Sequence, residues 1–259
     1  MAKVITIANN KGGVGKTMQA YQLSTHLANE GNKVLVIDLD SQANLSMTLG
    51  VDVRRTLIPE WLIGDIDADD VIAPSEGKHE FYKNLDVIAS SRHLANLAKL
   101  LILSEAEVRK TAGRKERLLK LRIEEISDRY DYIVIDTPPM LGDELIMALV
   151  ASDRILIPTQ AQDYSIDGLE ELMDTFEIIK ESENPKLDFN IIPSMVNARR
   201  NIEKQRMEEL AQSFNVTPAV RNLVDMQESI SLRKPVFMMN RKSKGKKDYK
   251  KLWDSLGLM

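Results

Sequence analysis

The sequence predicts a doubly wound α/β fold, a mostly parallel sheet with helices on both faces. Two observations predict it. Short β-branched apolar runs recur along the chain, most of them separated by stretches with helical periodicity. The runs are also continuous rather than alternating in hydrophobicity, as strands covered on both faces are. At 259 residues, 43% hydrophobic and 29% charged, the chain suits one domain over 1–259 with a sizeable core.

Taken in order, strands are expected at residues 4–8, 34–37, 85–89, 132–135, 155–158 and 189–192. Between the first two, Ala20, Leu23, Leu27 and Ala28 form one apolar face, and Gly31 stands where a C-cap glycine stops a helix. Leu94, Leu97 and Leu101 form a second stripe, and Leu118, Leu121, Ile123 and Ile126 a third. Right-handed crossovers would gather the loops that follow the strands along one edge of the sheet, where ligands bind.

Composition excludes several classes. With no cysteine there is no disulfide framework, iron–sulfur cluster or thiolate zinc site, and a cytoplasmic protein is expected. No apolar run reaches the roughly 18–20 residues of a membrane span, and the apolar stretch before Asn9 is too short for a secretory signal. The net charge of −4 gives no global sign of nucleic-acid binding. His26, His79 and His93 are scattered and are assigned no role.

Asn9, Asn10, Lys11, Gly12, Gly13, Val14, Gly15, Lys16 and Thr17 follow the first strand and lead into a helix. Glycines let successive backbone N–H groups face phosphate oxygens, and the helix adds the positive end of its dipole. Lys16 is placed to reach the β- and γ-phosphates and the Thr17 hydroxyl to ligate Mg²⁺. The second strand runs into Asp38 and Asp40, which alternation puts on one face. One can join the Mg²⁺ water shell while the other orients the attacking water; Asp40 is assigned the water and Asp38 its support. Asp136 ends another apolar strand, before Pro138 and Pro139, where it can hold Mg²⁺ through water.

Lys11 to Thr17 resembles the deviant Walker A loop of the ParA/MinD family of P-loop ATPases, with Asn10 where the ordinary loop has glycine. The segment from Asp38 to Gln42 resembles the family's Asp-x-Asp-Pro-Gln switch, with Ser41 replacing proline. The resemblance implies a slow Mg²⁺-dependent ATPase in which Lys11 reaches the nucleotide of a second subunit, so that ATP is sandwiched in a homodimer. It implies that Met18, where the family repeats threonine, offers its backbone N–H to the α-phosphate. The strand and loop carrying Met195 and Asn197 resemble those that help enclose adenine. Arg221 and Asn222 resemble the C-terminal ParA pattern, with Val220 in place of its proline. Residues 50–84 match nothing in the family.

Within the family, the absence of cysteine excludes nitrogenase-type iron proteins and iron–sulfur carriers, and a tyrosine-rich autokinase tail is absent. Dethiobiotin-synthetase-like ligases share the fold but lack the Lys11 signature. MinD proteins end in a membrane-docking amphipathic helix. Tyr249, Leu252, Trp253 and Leu256 form such a stripe here, but packing on the sheet is the preferred reading, and no membrane is expected. Residues 241–251 hold seven basic residues and one acid. The resemblance makes this cluster a candidate for sequence-independent DNA contact through Lys242, Lys244, Lys246 and Lys247, with Arg199 and Arg200. A second basic run, from Arg109 to Arg117, is read as a surface helix.

The expectation is a ParA-like partition ATPase, with no N-terminal helix-turn-helix domain, that associates with the nucleoid and is stimulated by a ParB-like centromere-binding partner. The alternatives are a MinD-like membrane ATPase, a positioner of another cargo, and a metabolic ligase.

Overall fold

The computed structural model describes residues 1–54, 56–77, 79–160, 169–197, 200–222, 224–239 and 243–258. Seven strands form one sheet: β1 (Lys3–Ile7), β2 (Val34–Asp38), β3 (Ile72–Pro74), β4 (Leu85–Ile88), β5 (Tyr132–Asp136), β6 (Arg154–Thr159) and β7 (Asp188–Pro193). Their order is β3-β4-β2-β5-β1-β6-β7, and all neighbours are parallel except β3 and β4. Every strand expected from the sequence is present. β3 is an addition: a three-residue antiparallel edge strand inside the stretch that carried no sequence signal.

Alternation explains the continuous apolar runs. Ile5, Ile7, Val34, Val36 and Val134 pack against α1 (Lys16–Asn29) and α11 (Lys244–Leu256) on one face. Val4, Leu35, Ile37, Ile133 and Ile135 face the opposite layer. That layer includes α3 (Ile58–Ile63), α4 (Leu97–Leu103), α5 (Glu105–Ala112), α6 (Leu118–Ile126) and α7 (Asp143–Ala151). α8 (Glu170–Ser182) and α9 (Asn201–Ser213) cover β6 and β7. α2 (Asn44–Thr48) follows β2, and α10 (Val224–Ser231) precedes α11. In α6 the inward residues are Leu118, Leu119, Ile123 and Ile126. Leu121, expected in that stripe, is only partly buried, because 3.6 residues per turn carries it round toward the rim.

The C-terminal stripe is core. Tyr249, Leu252, Trp253 and Leu256 are each at most 7% exposed, and burial of such side chains contributes roughly 1.5–3 kcal/mol apiece. Undocking α11 to reach a membrane would forfeit that, so the packing reading of the stripe holds. No helix among the described residues is long and apolar enough to cross a membrane.

The topology locates the site. The crossover from β1 through α1 passes over β5 to reach β2, whereas the crossover from β5 through α7 passes over β1 to reach β6 on the other side. Where such connections part, the carboxyl ends of β1, β2 and β5 open on a common crevice.

The segment after β2 is pinned at its far end by Gly50. Its φ is +85°, and a Cβ there would lie 2.6 Å from the Glu76 carbonyl oxygen. Gly50→Ala is expected to destabilise the protein by at least about 1–2 kcal/mol from left-handed strain alone. A thermal melt should show this as a fall of about 2–4 °C in Tm for each kcal/mol lost.

Candidate nucleotide site

The loop after β1 needs its glycines for shape. Gly13 and Gly15 have φ of +75° and +95°, conformations that cost little only without a Cβ. Gly15 is the N-cap of α1 and offers no side-chain cap, so the first-turn N–H groups lack a side-chain acceptor there and point to an anion. Lys16 is buried, and its Nζ donates to the Lys11 carbonyl at 2.8 Å. Burial lowers its pKa, while the fields of Asp136 and Asp40 oppose that shift. The ammonium therefore sits where phosphate would supply the charge it lacks.

Two residues outside the motif hold the loop, and a third ties α1 behind it to the end of β7. Asn9 is wholly buried; its Nδ2 donates to the Pro158 carbonyl at 2.8 Å and its Oδ1 accepts from Lys11 N at 2.9 Å. Gln160 Nε2 donates to the Gly13 carbonyl at 2.7 Å, and Gln19 Nε2 donates to Ser194 Oγ at 3.2 Å. The sequence analysis gave these no role. The Asn9–Asn10 doublet straight after a strand was the one available signal.

Register brings the carboxylates together. Asp38 and Asp136 pair across β2 and β5 and are 0% and 1% exposed. Burial raises the Asp136 carboxyl well above the usual range, and Asp38 adds to that rise; the Thr17 hydroxyl and Lys16 act against it. Thr17 Oγ1 donates to Asp136 Oδ2 at 2.8 Å, and Asp136 Oδ1 is buried without a hydrogen-bond partner among the described residues. An orphaned carboxylate oxygen beside a hydroxyl at the head of a phosphate loop fits Mg²⁺, which takes one or two carboxylates and fills its remaining positions with phosphate and water.

Asp38 is occupied differently from the sequence expectation of a metal-shell group. Its Oδ1 accepts from Asp40 N at 3.1 Å, and its Oδ2 accepts from Ser46 N and Ser46 Oγ at 2.9 and 2.7 Å. It anchors the following segment, which leaves Thr17 and Asp136 as the pair fitted to a metal. Burial pushes the Asp38 pKa up to about 6 despite these bonds. Asp40 is half-buried and organises its own turn, its Oδ1 accepting from Gln42 N at 2.9 Å.

A pocket of about 290 Å³ lies beside the loop, lined by Gln160, Met195, Asn197, Arg200, Glu203 and Asn222 among others. Met195 has φ of +55° and its Cε lies 3.4 Å from where a Cβ on Gly15 would stand. Met195 and Asn197 thus fall where a base would follow the phosphates. Glu203, unread in the sequence, is buried and accepts from Asn197 N at 2.8 Å.

Arg221, expected near the nucleotide, has its side chain on Asp248. Its Nε and Nη2 clamp Asp248 at 2.8 and 2.6 Å, and it does not line the pocket; its neighbour Asn222 does. Asp248 is the lone acid of the basic cluster, which is why a charge count hid the pair.

Among the other basic candidates, Lys244 and Lys247 are exposed, and Arg200 is exposed with Glu203 at 3.6 Å. Lys246 turns inward, its Nζ donating to the Phe237 carbonyl at 2.7 Å. Arg199 and Lys242 lie outside the described residues. The Arg109–Arg117 run lies at the surface but is not the single helix expected: α5 ends at Ala112, Gly113 has φ of +72°, and Lys115–Arg117 form a 3₁₀ turn. Arg109 pairs with Glu105, Lys115 with Asp143, and Arg114 and Arg117 with Glu183.

A glycine loop with paired lysines, a helix N-terminus behind it and strand-end carboxylates before it define a P-loop ATPase. A family profile described as an AAA domain matches residues 2–189. The sporulation initiation inhibitor protein Soj of Bacillus subtilis is 36% identical over 257 residues, 96% of each chain. The chromosome partitioning protein ParA of Caulobacter vibrioides is 34% identical, over 96% of this chain and 92% of its own. A putative plasmid partition protein of Borrelia burgdorferi, solved bound to AMPPNP, superposes with a TM-score of 0.79 at 28% identity, covering both chains completely. The chain belongs to the ParA/Soj family of partition ATPases.

Folding raises the Asp38 pKa from 3.8 to about 6, so between those values the native chain binds more protons than the unfolded one. This contribution to stability is present at acid pH and is lost as pH rises through about 6. Without nucleotide or Mg²⁺, the Tm of the wild type relative to Asp38→Asn should therefore fall from about pH 5 to about pH 7. A constant difference would contradict the assignment.

Proposed function

We propose that this chain is an ATP-driven partition switch: ATP closes two copies into a dimer, the dimer binds DNA without sequence preference, and hydrolysis releases it. The observation that carries the reading is the convergence of Lys16 and Thr17, at the end of the loop that carries Lys11, with Asp40 and Asp136 at the carboxyl ends of adjacent strands. Lys16 grips the β- and γ-phosphates, and the N–H groups from Gly12 to Met18 wrap them. Lys11, five residues earlier, extends to the nucleotide of the second copy. Mg²⁺, held by Thr17 and Asp136, would neutralise charge on the phosphate oxygens. Asp40 orients the attacking water in line with the γ-phosphate.

Met195, Asn197 and Asn222 hold the base. The exposed Lys244, Lys247 and Arg200 supply phosphate contacts to DNA, with Arg199 and Lys242 beside them in sequence. A ParB-like partner accelerates the slow intrinsic turnover, and DNA contact keeps the ATP form on the nucleoid. The MinD-like alternative needs the α11 stripe on a membrane, and the burial of that stripe disfavours it.

Binding to random-sequence duplex DNA with ATP, ADP or no nucleotide tests the cycle. Binding should require ATP and weaken steeply with salt, roughly one log unit of affinity per log unit of salt for each phosphate contact; no binding in any state would overturn the DNA reading. In separate assays, Lys16→Ala should lose nucleotide binding. Asp40→Ala should still dimerise on ATP but hydrolyse poorly, and normal turnover there would overturn its assignment.

A further inference from the structure

We infer that Ser46 is a positioning residue for hydrolysis, fixing the turn that carries Asp40 through the buried carboxylate of Asp38. The inference rests on the role given to Asp40 above. Ser46 lies on α2, eight residues beyond Asp38, and is fully buried. Its backbone N–H and its hydroxyl both donate to Asp38 Oδ2, at 2.9 and 2.7 Å. The same hydroxyl oxygen accepts from Ser90 N, at the carboxyl end of β4, at 2.9 Å. Donor and acceptor capacity of that one oxygen are thus both used, between two strands of the sheet.

The other oxygen of Asp38 accepts from Asp40 N at 3.1 Å. One carboxylate therefore ties both ends of the segment from Asp40 to Ser46. Within it, Gln42 N donates to Asp40 Oδ1 at 2.9 Å and Ala43 N to the Asp40 carbonyl at 2.8 Å. The segment has little strength of its own. α2 spans five residues, starts after Ala43 at φ +54° and has no side-chain cap. So short a helix does not persist unless it is anchored. Among the described residues, no cation pairs with Asp38. Its charge is held by hydrogen bonds, and the strongest geometry among them is the Ser46 hydroxyl.

Without that hydroxyl, Asp38 keeps one backbone donor at each end and Ser90 N loses its acceptor. The turn would then drift relative to Lys16 and Asp136, which stand on α1 and β5. A carboxylate that orients water is sensitive to such drift, since a displacement of about 1 Å at a reacting group can cost on the order of 10²-fold in rate. Nucleotide affinity should hardly change, because the phosphate loop draws its support from Asn9 and Gln160 instead.

The test is single-turnover ATP hydrolysis and ATP affinity on the full chain, with melting curves, for Ser46→Ala, Ser46→Thr, Asp40→Ala and the Ser46→Ala/Asp40→Ala double variant. Ser46→Ala should hydrolyse about tenfold or more slowly with ATP affinity within about twofold. Ser46→Thr, which keeps the oxygen, should recover most of the rate, and the double variant should be no slower than Asp40→Ala. Should Ser46→Ala fail to fold, Ser46→Cys, with a weaker donor, takes its place and should give an intermediate rate. Wild-type hydrolysis by Ser46→Ala or Ser46→Cys while Asp40→Ala is impaired would overturn the role of Ser46 alone. So would a double variant whose loss is the product of the single losses. Normal hydrolysis by Asp40→Ala would instead remove the residue through which Ser46 acts.

Discussion

Parallel register between β2 and β5 places two aspartates side by side at the bottom of the crevice, and much of the local structure answers that fact. Two carboxylates taken out of water repel each other, and burial penalises the charged form of each. Asp38 is satisfied by donors from its own downstream segment, whereas Asp136 receives one hydroxyl from Thr17 and the field of Lys16. The asymmetry divides the labour. Asp38 holds chain in place, and Asp136 keeps Oδ1 without a hydrogen-bond partner among the described residues.

The phosphate loop shows the complementary arrangement, with N–H groups left for a ligand and carbonyls held away by side chains. Gln160 takes the Gly13 carbonyl and Lys16 the Lys11 carbonyl. Asn9 fixes the first bend by bonding both the Lys11 N–H and the Pro158 carbonyl of β6. A peptide whose carbonyl is tethered outward turns the following N–H inward, so these bonds preorganise the anion site. Gln160 also lines the neighbouring pocket, so one side chain touches both that pocket and the phosphate loop.

The sheet and the phosphate loop were legible because their constraints are local. A strand buried on both faces must be apolar throughout, and a loop with left-handed positions must place glycine there. Asp38, Asp40 and Asp136 were legible as strand ends. What escaped depends on contacts between distant segments. Ser46 meets Asp38 through a short helix, Glu203 meets Asn197 across a loop, and Arg221 meets Asp248 across 27 positions. None of these has a spacing that pattern reading detects. Strand β3 was missed because three residues carry no period, and Leu119 turns inward in place of Leu121 because two positions lie about 200° apart around a helix.

The Arg221–Asp248 clamp ties the segment beside the pocket to the basic C-terminal helix. Arg221 forms the parallel bridge to Val196 and precedes Asn222, which lines the pocket beside the phosphate loop, while Asp248 sits one turn into α11 beyond Lys244. The clamp is bidentate and Asp248 is 8% exposed in its side chain, so solvent screens it little. The segment that carries Arg221 and the first turns of α11 are therefore tied together, and the charge of Arg221 is paired with Asp248 rather than left to the basic cluster.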